Sequence, residues 1–196
     1  MISSTESTWR VFCAIEIPEQ IRQGISQHAQ QLHNALPDIQ ASWTKPDNIH
    51  LTLKFFGNIS QQQVLEVSAA ASRTVEGFQP FQFRIEGAGA FPERGPARVL
   101  WIGINDSMGQ LVELQRKLDD ECQREGFERE ARTFNPHLTV ARLRSPRGAR
   151  ALADKHKQIK FEPADIEVKR LVVFRSQLTP KGSRYSIISE HPLVRS

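Results

Sequence analysis

Cysteine is scarce: Cys13 and Cys122 are the two in 196 residues, with no C-x-x-C pair and no ligand set beside either. A disulfide framework or a cysteine-held metal is therefore unsupported, and both thiols are expected as small core residues. Long apolar runs are missing too. No segment approaches the ~20 apolar residues of a membrane span, and the first eight residues are polar with no apolar run behind them, so a cytoplasmic chain without leader or span is the default expectation. Proline and glycine, 11 of each, are too few to indicate extensive disorder. No G-x-S-x-G or comparable signature appears, which leaves a serine or cysteine nucleophile without support. Acids are sparse where arginines gather: residues 129–150 carry six arginines against Glu130 alone, whereas residues 1–66 carry four lysines and arginines against six acids. Such a local basic patch suits a phosphate-bearing partner, with a solvated arginine-rich surface as the competing reading, and it is too small to coat long nucleic acid.

What the chain does contain is a repeat. Asn48-Ile49-His50-Leu51-Thr52-Leu53 returns 87 residues later as Asn135-Pro136-His137-Leu138-Thr139-Val140. A two-residue period sends histidine and threonine to one face and the aliphatics to the other, so each copy offers an imidazole and a hydroxyl side by side. The length allows one good core or two small lobes, burying about 70% of the surface exposed by the unfolded chain.

Around these copies, strand and helix patterns alternate. Trp9 to Ile17 reads as a strand, apolar on both faces. Pro18 opens a helix with Ile21, Ile25, Ala29, Leu32 and Leu36 on one stripe. Ser60 and Gln63 make a capping box before the stripe Val64, Val67, Ala71, Val75. Phe81, Phe83 and Ile85 alternate as a strand, residues 87–96 read as a turn-rich connection, and Val99 to Ile104 as another strand. Leu111, Leu114, Leu118 and Cys122 mark a helix that stops at Gly126. The second motif strand spans about Phe134 to Leu143, Ser145-Pro146 opens a short basic helix, and strands at 166–174 and 185–188 close the chain. His28 and His33 are read as structural or solvated. Several strands follow strands directly, which favours antiparallel or mixed sheets. No linker separates domains, so residues 1–196 are expected as a single unit of two similar halves, each contributing one motif strand.

Two imidazoles delivered to one site can act as base and acid near neutral pH. In-line displacement at phosphorus uses both: one takes the proton of the incoming oxygen and the other protonates the leaving oxygen. The threonine hydroxyls can donate to non-bridging phosphate oxygens. Arg142 adds a cation five residues past His137, although strict alternation puts it on the opposite face and its entry needs a bulge, twist or strand end. Metal binding is the rival reading, but two histidines with no cysteine and no clustered carboxylates make a poor ligand set. Sequence symmetry does not tell which histidine is acid and which is base.

The residues Trp43-x-Lys45-x-x-Asn48-x-His50-Leu51-Thr52-Leu53-x-Phe55-x-Gly57, then Val99-Leu100-Trp101-Ile102-Gly103, then Phe134-x-Pro136-His137-Leu138-Thr139-Val140-Ala141-Arg142, with Phe174-x-Ser176 and Tyr185 beyond them, resemble the RNA 2′,3′-cyclic phosphodiesterases of the two-histidine phosphoesterase superfamily. Only Phe56, where leucine is common in the family, departs from the pattern. The resemblance implies a bilobal α/β (α+β) fold with pseudo-twofold duplicated lobes, antiparallel sheets lining a central cleft and helices outside. It implies metal-independent opening of 2′,3′-cyclic phosphates to 2′-phosphomonoesters without a cofactor, and in some bacterial members reversible 2′-5′ RNA ligation. His50 would be the proton donor to the departing 3′-oxygen and His137 the base that activates water, with Thr52, Thr139 and Arg142 on the phosphate. The implied partner is RNA with 2′,3′-cyclic phosphate ends, tRNA fragments among the candidates, met by a monomeric chain away from membranes. Trp43, Lys45 and Phe55 are candidate substrate contacts, and Lys54 with Arg144, Arg147 and Arg150 are candidate RNA-backbone contacts. A small cyclic nucleotide as substrate, or a non-catalytic module that binds RNA ends, are the alternatives.

Overall fold

The structure is a computed structural model that describes residues 7–180 and 182–194. Residues 1–6, 181, 195 and 196 of the expected 1–196 unit lie outside the described residues. The elements run β1 (Trp9–Glu16), α1 (Glu19–Ala35), β2 (Ala41–Trp43), a 3₁₀ turn (Pro46–Asn48), β3 (His50–Ile59), α2 (Gln61–Val75), β4 (Phe81–Phe91), β5 (Val99–Asn105), α3 (Gln110–Arg124), β6 (His137–Leu143), α4 (Ala149–Gln158), β7 (Ala164–Val168), β8 (Arg170–Thr179) and β9 (Gly182–Pro192). They form two antiparallel sheets, of order β3-β1-β8-β9 and β2-β6-β5-β4-β7. Helices α2 and α3 pack together against the first sheet, and α1 and α4 against the second. Among the described residues, each sheet thus packs its helices on one face. Among the described residues no helix is long and apolar enough to cross a membrane.

Local chemistry accounts for most boundaries. Ser60 Oγ accepts from the Gln63 backbone while Gln63 Oε1 accepts from Ser60 N, closing the capping box that starts α2. The apolar stripes of α1, α2 and α3 lie in a core shared with Val11, Leu51, Leu53, Leu100, Ile102 and Leu138. Both cysteines are buried there without a disulfide, and burial raises the Cys122 thiol to about 12.

Four readings need correction. Residues 87–91 continue β4 rather than turning, because they pair with β5 through Ala90–Leu100 and Phe91–Val99. Ala41–Trp43 is a short edge strand, held by pairing with β6 rather than by any periodicity of its own. The closing strand is two strands, β7 and β8, which meet at Lys169 and join different sheets. The final hairpin is also longer than its apolar pattern, because exposed positions continue the ladder from Thr179–Gly182 to Arg170–Pro192.

Candidate active site

The two motif strands carry the same irregularity. On β3, Thr52 pairs with Ala14 and Lys54 with Cys13, leaving Leu53 as an extra residue. On β6, Thr139 pairs with Trp101 and Ala141 with Leu100, leaving Val140 as the extra residue. A bulge of this kind shifts the alternation by one. Leu53 and Lys54 are therefore both buried, as are Val140 and Ala141, and the next residue returns to the face of the histidine and threonine. On β6 that residue is Arg142, so the bulge supplies the entry that strict alternation denied it. On β3 the equivalent residue is Phe55, 45% exposed. A second bulge follows at Phe56, where Gly57 adopts φ 74°, a conformation that side chains disfavour.

His50 and Thr52 open one sheet, His137 and Thr139 the other, and β3 and β6 approach within 8 Å between Cα atoms. The His137 Nδ1–H donates to the Asn135 carbonyl at 2.7 Å; a carbonyl can only accept, so Nε2 is left as the working nitrogen. His50 makes the matching bond to the backbone of Asn48. The asparagines explain the motif's first position. Asn48 Nδ2 donates to the Ser183 carbonyl at 3.1 Å and Asn135 Nδ2 to the Thr133 carbonyl at 3.2 Å, bracing the backbone that orients each ring.

The surroundings of the two rings differ. His50 stacks on Phe12 (centroids 4.6 Å) and lies 6.2 Å from Phe174 and 5.1 Å, edge-on, from Tyr185. Burial in this aromatic cage lowers its pKa from 6.5 to about 4, and the bond to Asn48 opposes part of that shift. Among the described residues, His137 meets a single ring, Phe91, edge-on at 5.2 Å. Phe91 also flanks Trp101 at 5.3 Å, whose indole lies so close over Gly89 that a Cβ there would sit 2.2 Å from the ring. Phe12 and Phe91 carry no motif signal of their own; the alternation of β1 gave Phe12 only a face, and Phe91 fell in a segment read as a turn.

The remaining candidates divide. Trp43 pairs with the core-facing Ala141 and meets His33 of α1 edge-on at 5.9 Å, so it packs on the helix side and does not line the histidine face. Its neighbour Ser42 takes that place, opposite Arg142, and accepts from Arg144 at 2.8 and 3.0 Å. Lys45 lies beside Gly182 at the tip of the β8–β9 hairpin, which the Asn48 bond ties to this loop. Lys54 is turned into the core by the bulge, where it pairs with Asp119 and donates to the Glu128 carbonyl at 2.8 Å, so it does not contact RNA. Arg150 stands on the exposed surface of α4, 3.9 Å from Asp154. Among the described residues, no group of three or more His, Cys, Asp or Glu side chains is placed to hold a metal ion.

A duplicated α/β scaffold with one His-x-Thr strand in each sheet is the build of a two-histidine phosphoesterase. The chain belongs to the LigT like Phosphoesterase family, whose model matches residues 15–101 and 102–185, one motif copy in each. Among its relatives are the RNA 2′,3′-cyclic phosphodiesterase of Methanothermobacter thermautotrophicus, 35% identical over 90% of this chain and 95% of that protein, and that of Thermotoga maritima, 31% identical over 92% and 94%. The fold is also that of E. coli LigT complexed with 3′-AMP, with a TM-score of 0.75 at 23% identity over 96% of this chain and 99% of the other.

Proposed function

We propose that this chain opens RNA 2′,3′-cyclic phosphates to 2′-phosphomonoesters, with its two halves acting as one unit around the paired motif strands. The observation that carries the reading is the matched bulge: each sheet presents an imidazole, locked to the asparagine two residues before it, and a hydroxyl on the same face. The relatives named as RNA 2′,3′-cyclic phosphodiesterases supply the reaction class.

In the mechanism, Thr52 and Thr139 donate to the non-bridging oxygens, and Arg142 balances their charge. His137 takes a proton from water as the new P–O bond forms. His50 gives a proton to the 3′-oxygen as the P–O3′ bond breaks, leaving the phosphate on O2′. Phe55 stacks on a base and Lys45 stands at the rim. No metal takes part. An RNA 5′-hydroxyl in place of water would give a 2′-5′ linkage through the same two proton transfers. Because its aromatic cage keeps His50 neutral at pH 7 in the free protein, the proton it donates is taken up once the anionic phosphate is bound, an opposite charge favouring the imidazolium.

The test is incubation of a 2′,3′-cyclic-phosphate oligonucleotide with the protein in EDTA, followed by mapping of the product phosphate. A 2′-phosphate is expected. A 3′-phosphate, or a reaction abolished by EDTA, would sink the proposal.

A further inference from the structure

Among the described residues the two sheets share no strand, so no backbone ladder fixes His50 against His137. Their spacing is set where side chains bridge the layers. One such bridge is built on Lys54, which the β3 bulge turns inward two residues past Thr52. Its ammonium pairs with Asp119 of α3 and donates to the Glu128 carbonyl at 2.8 Å. The same carboxylate oxygen, Asp119 Oδ1, accepts from the Glu130 backbone N–H at 3.2 Å. Beside them Phe56 of β3 meets Phe127 edge-on at 5.1 Å, and its ring centre lies 5.9 Å from the Lys54 ammonium. Strand β3 thus grips residues 127–130 through one buried charge pair and one aromatic contact.

The gripped residues lead to the second histidine. Residues 127–136 are irregular and carry the chain from α3, packed with the first sheet, to His137 at the start of β6 in the second. Short-range bonds continue from the grip to the ring. Glu130 Oε1 accepts from the Arg132 N–H at 3.4 Å, the Thr133 carbonyl from Asn135 Nδ2 at 3.2 Å, and the Asn135 carbonyl from His137 Nδ1–H at 2.7 Å. Lys54 is 5% and Asp119 7% exposed, so water competes little for either charge and the grip is stiff. Stiffness matters here, because in-line transfer needs the two imidazoles on opposite sides of one phosphorus. A misplacement of about 1 Å can cost about 10²-fold in rate.

We infer that the Lys54–Asp119 pair, with the backbone of residues 128–130, is a clamp between the two halves that sets His137 against His50. Lys54 and Asp119 are then positioning residues for the reaction. The inference rests on the phosphodiesterase reading for the chemistry that needs this spacing, whereas the clamp itself needs only the contacts above. An ion pair that served folding alone could be exchanged for apolar side chains without loss of rate; a clamp could not.

The experiment makes that exchange, with Lys54→Met alone and Lys54→Met combined with Asp119→Leu. The single variant leaves Asp119 buried and unpaired and should lower the urea midpoint. The double variant should restore most of it, since well-packed apolar residues can replace a buried ion pair. It still lacks the bonds to Glu128 and Glu130. Its kcat on a 2′,3′-cyclic mononucleotide should therefore stay about tenfold below wild type, with KM within about twofold. In the free protein the NMR signals of the His137 ring protons should move, and those of His28 and His156, which make no bond to the clamp, should not. A kcat that recovers together with the urea midpoint overturns the inference, as does a His137 signal that stays in place. Should the wild type open no cyclic phosphate, the phosphodiesterase reading fails, and the His137 signal alone decides the clamp. Moved in the double variant, it sustains the clamp; unmoved, it overturns it.

Discussion

Strands β3 and β6 share a backbone and differ in what they do with it. Both bulge directly after threonine, both bury the next two residues, and both bring a sixth residue onto the histidine face. On β3 the second buried residue is Lys54, paired with Asp119, and the sixth is an exposed phenylalanine. On β6 the corresponding residues are Ala141 and Arg142. His50 sits in a cage of three rings while His137 touches one. The lesson is that a repeated backbone device sets where side chains point, and single substitutions within it then separate the roles. One side presents a guanidinium, and the other presents an aromatic surface.

The largest test removes what the strands share. His50→Ala and His137→Ala should each lower kcat by ~10² to 10⁴ with unchanged thermal unfolding. The double variant should be no more than about tenfold worse than the poorer single one, because the two act as a unit. Single-turnover assays on a cyclic-phosphate oligonucleotide would show it, and additive losses would break the pairing.

The next tests act on what differs. Lys54→Ala makes β3 resemble β6 at that position and strands the buried Asp119, costing about 3–5 kcal/mol in urea unfolding. Adding Asp119→Ala should restore part of the loss, and failure to do so would mean that the ion pair is not the cause. Arg142→Ala should lower kcat about 10²-fold. Phe55→Ala should instead raise the oligonucleotide KM about tenfold with kcat little changed. If both variants had the same kinetic signature, the division of roles would fall.

The smallest effects are in pH. Between α4 and the second sheet, the His156 Nε2–H donates to the Trp101 carbonyl at 2.9 Å, so its Nδ1 must accept, at 2.8 Å, from the Nε2–H of His28 on α1. Both rings are neutral and buried. Desolvation first, then repulsion whenever His156 is protonated, lowers His28 from 6.5 to about 4, and desolvation lowers His156. A histidine whose folded pKa is depressed lends stability that is full above pH 6.5 and lost as pH falls toward 4, since the unfolded chain binds the proton first. The melting temperature should drop by roughly 5 °C over that range, and less in His28→Gln. For His50 as acid, its limb should lie at lower pH in kcat/KM than in kcat, because only the bound complex contains the phosphate charge. Coincident limbs would contradict that assignment.

Much of this was legible in the residues. The repeat located both histidines and threonines, and the stripes of α1, α2 and α3 and the box at Ser60 located their helices, because periodicity and capping are local properties. Arg142 was legible as a candidate but not as a neighbour, since a bulge depends on the partner strand. The roles suggested for Trp43 and Lys54 failed for the same reason. Their faces are set by register against Ala141 and Cys13, which no local pattern records.

By itself the sequence determined that the chain carries two imidazole–hydroxyl strands, a local arginine patch and enough apolar periodicity for a layered α/β core. Tertiary structure alone decided that β3 and β6 meet from different sheets, that the two bulges turn Phe55 and Arg142 onto the working face and Lys54 away from it, and that His50 is enclosed by rings from β1, β8 and β9. The physical reason is that facing, register and desolvation are properties of strand pairs and packed layers, made by residues far apart along the chain.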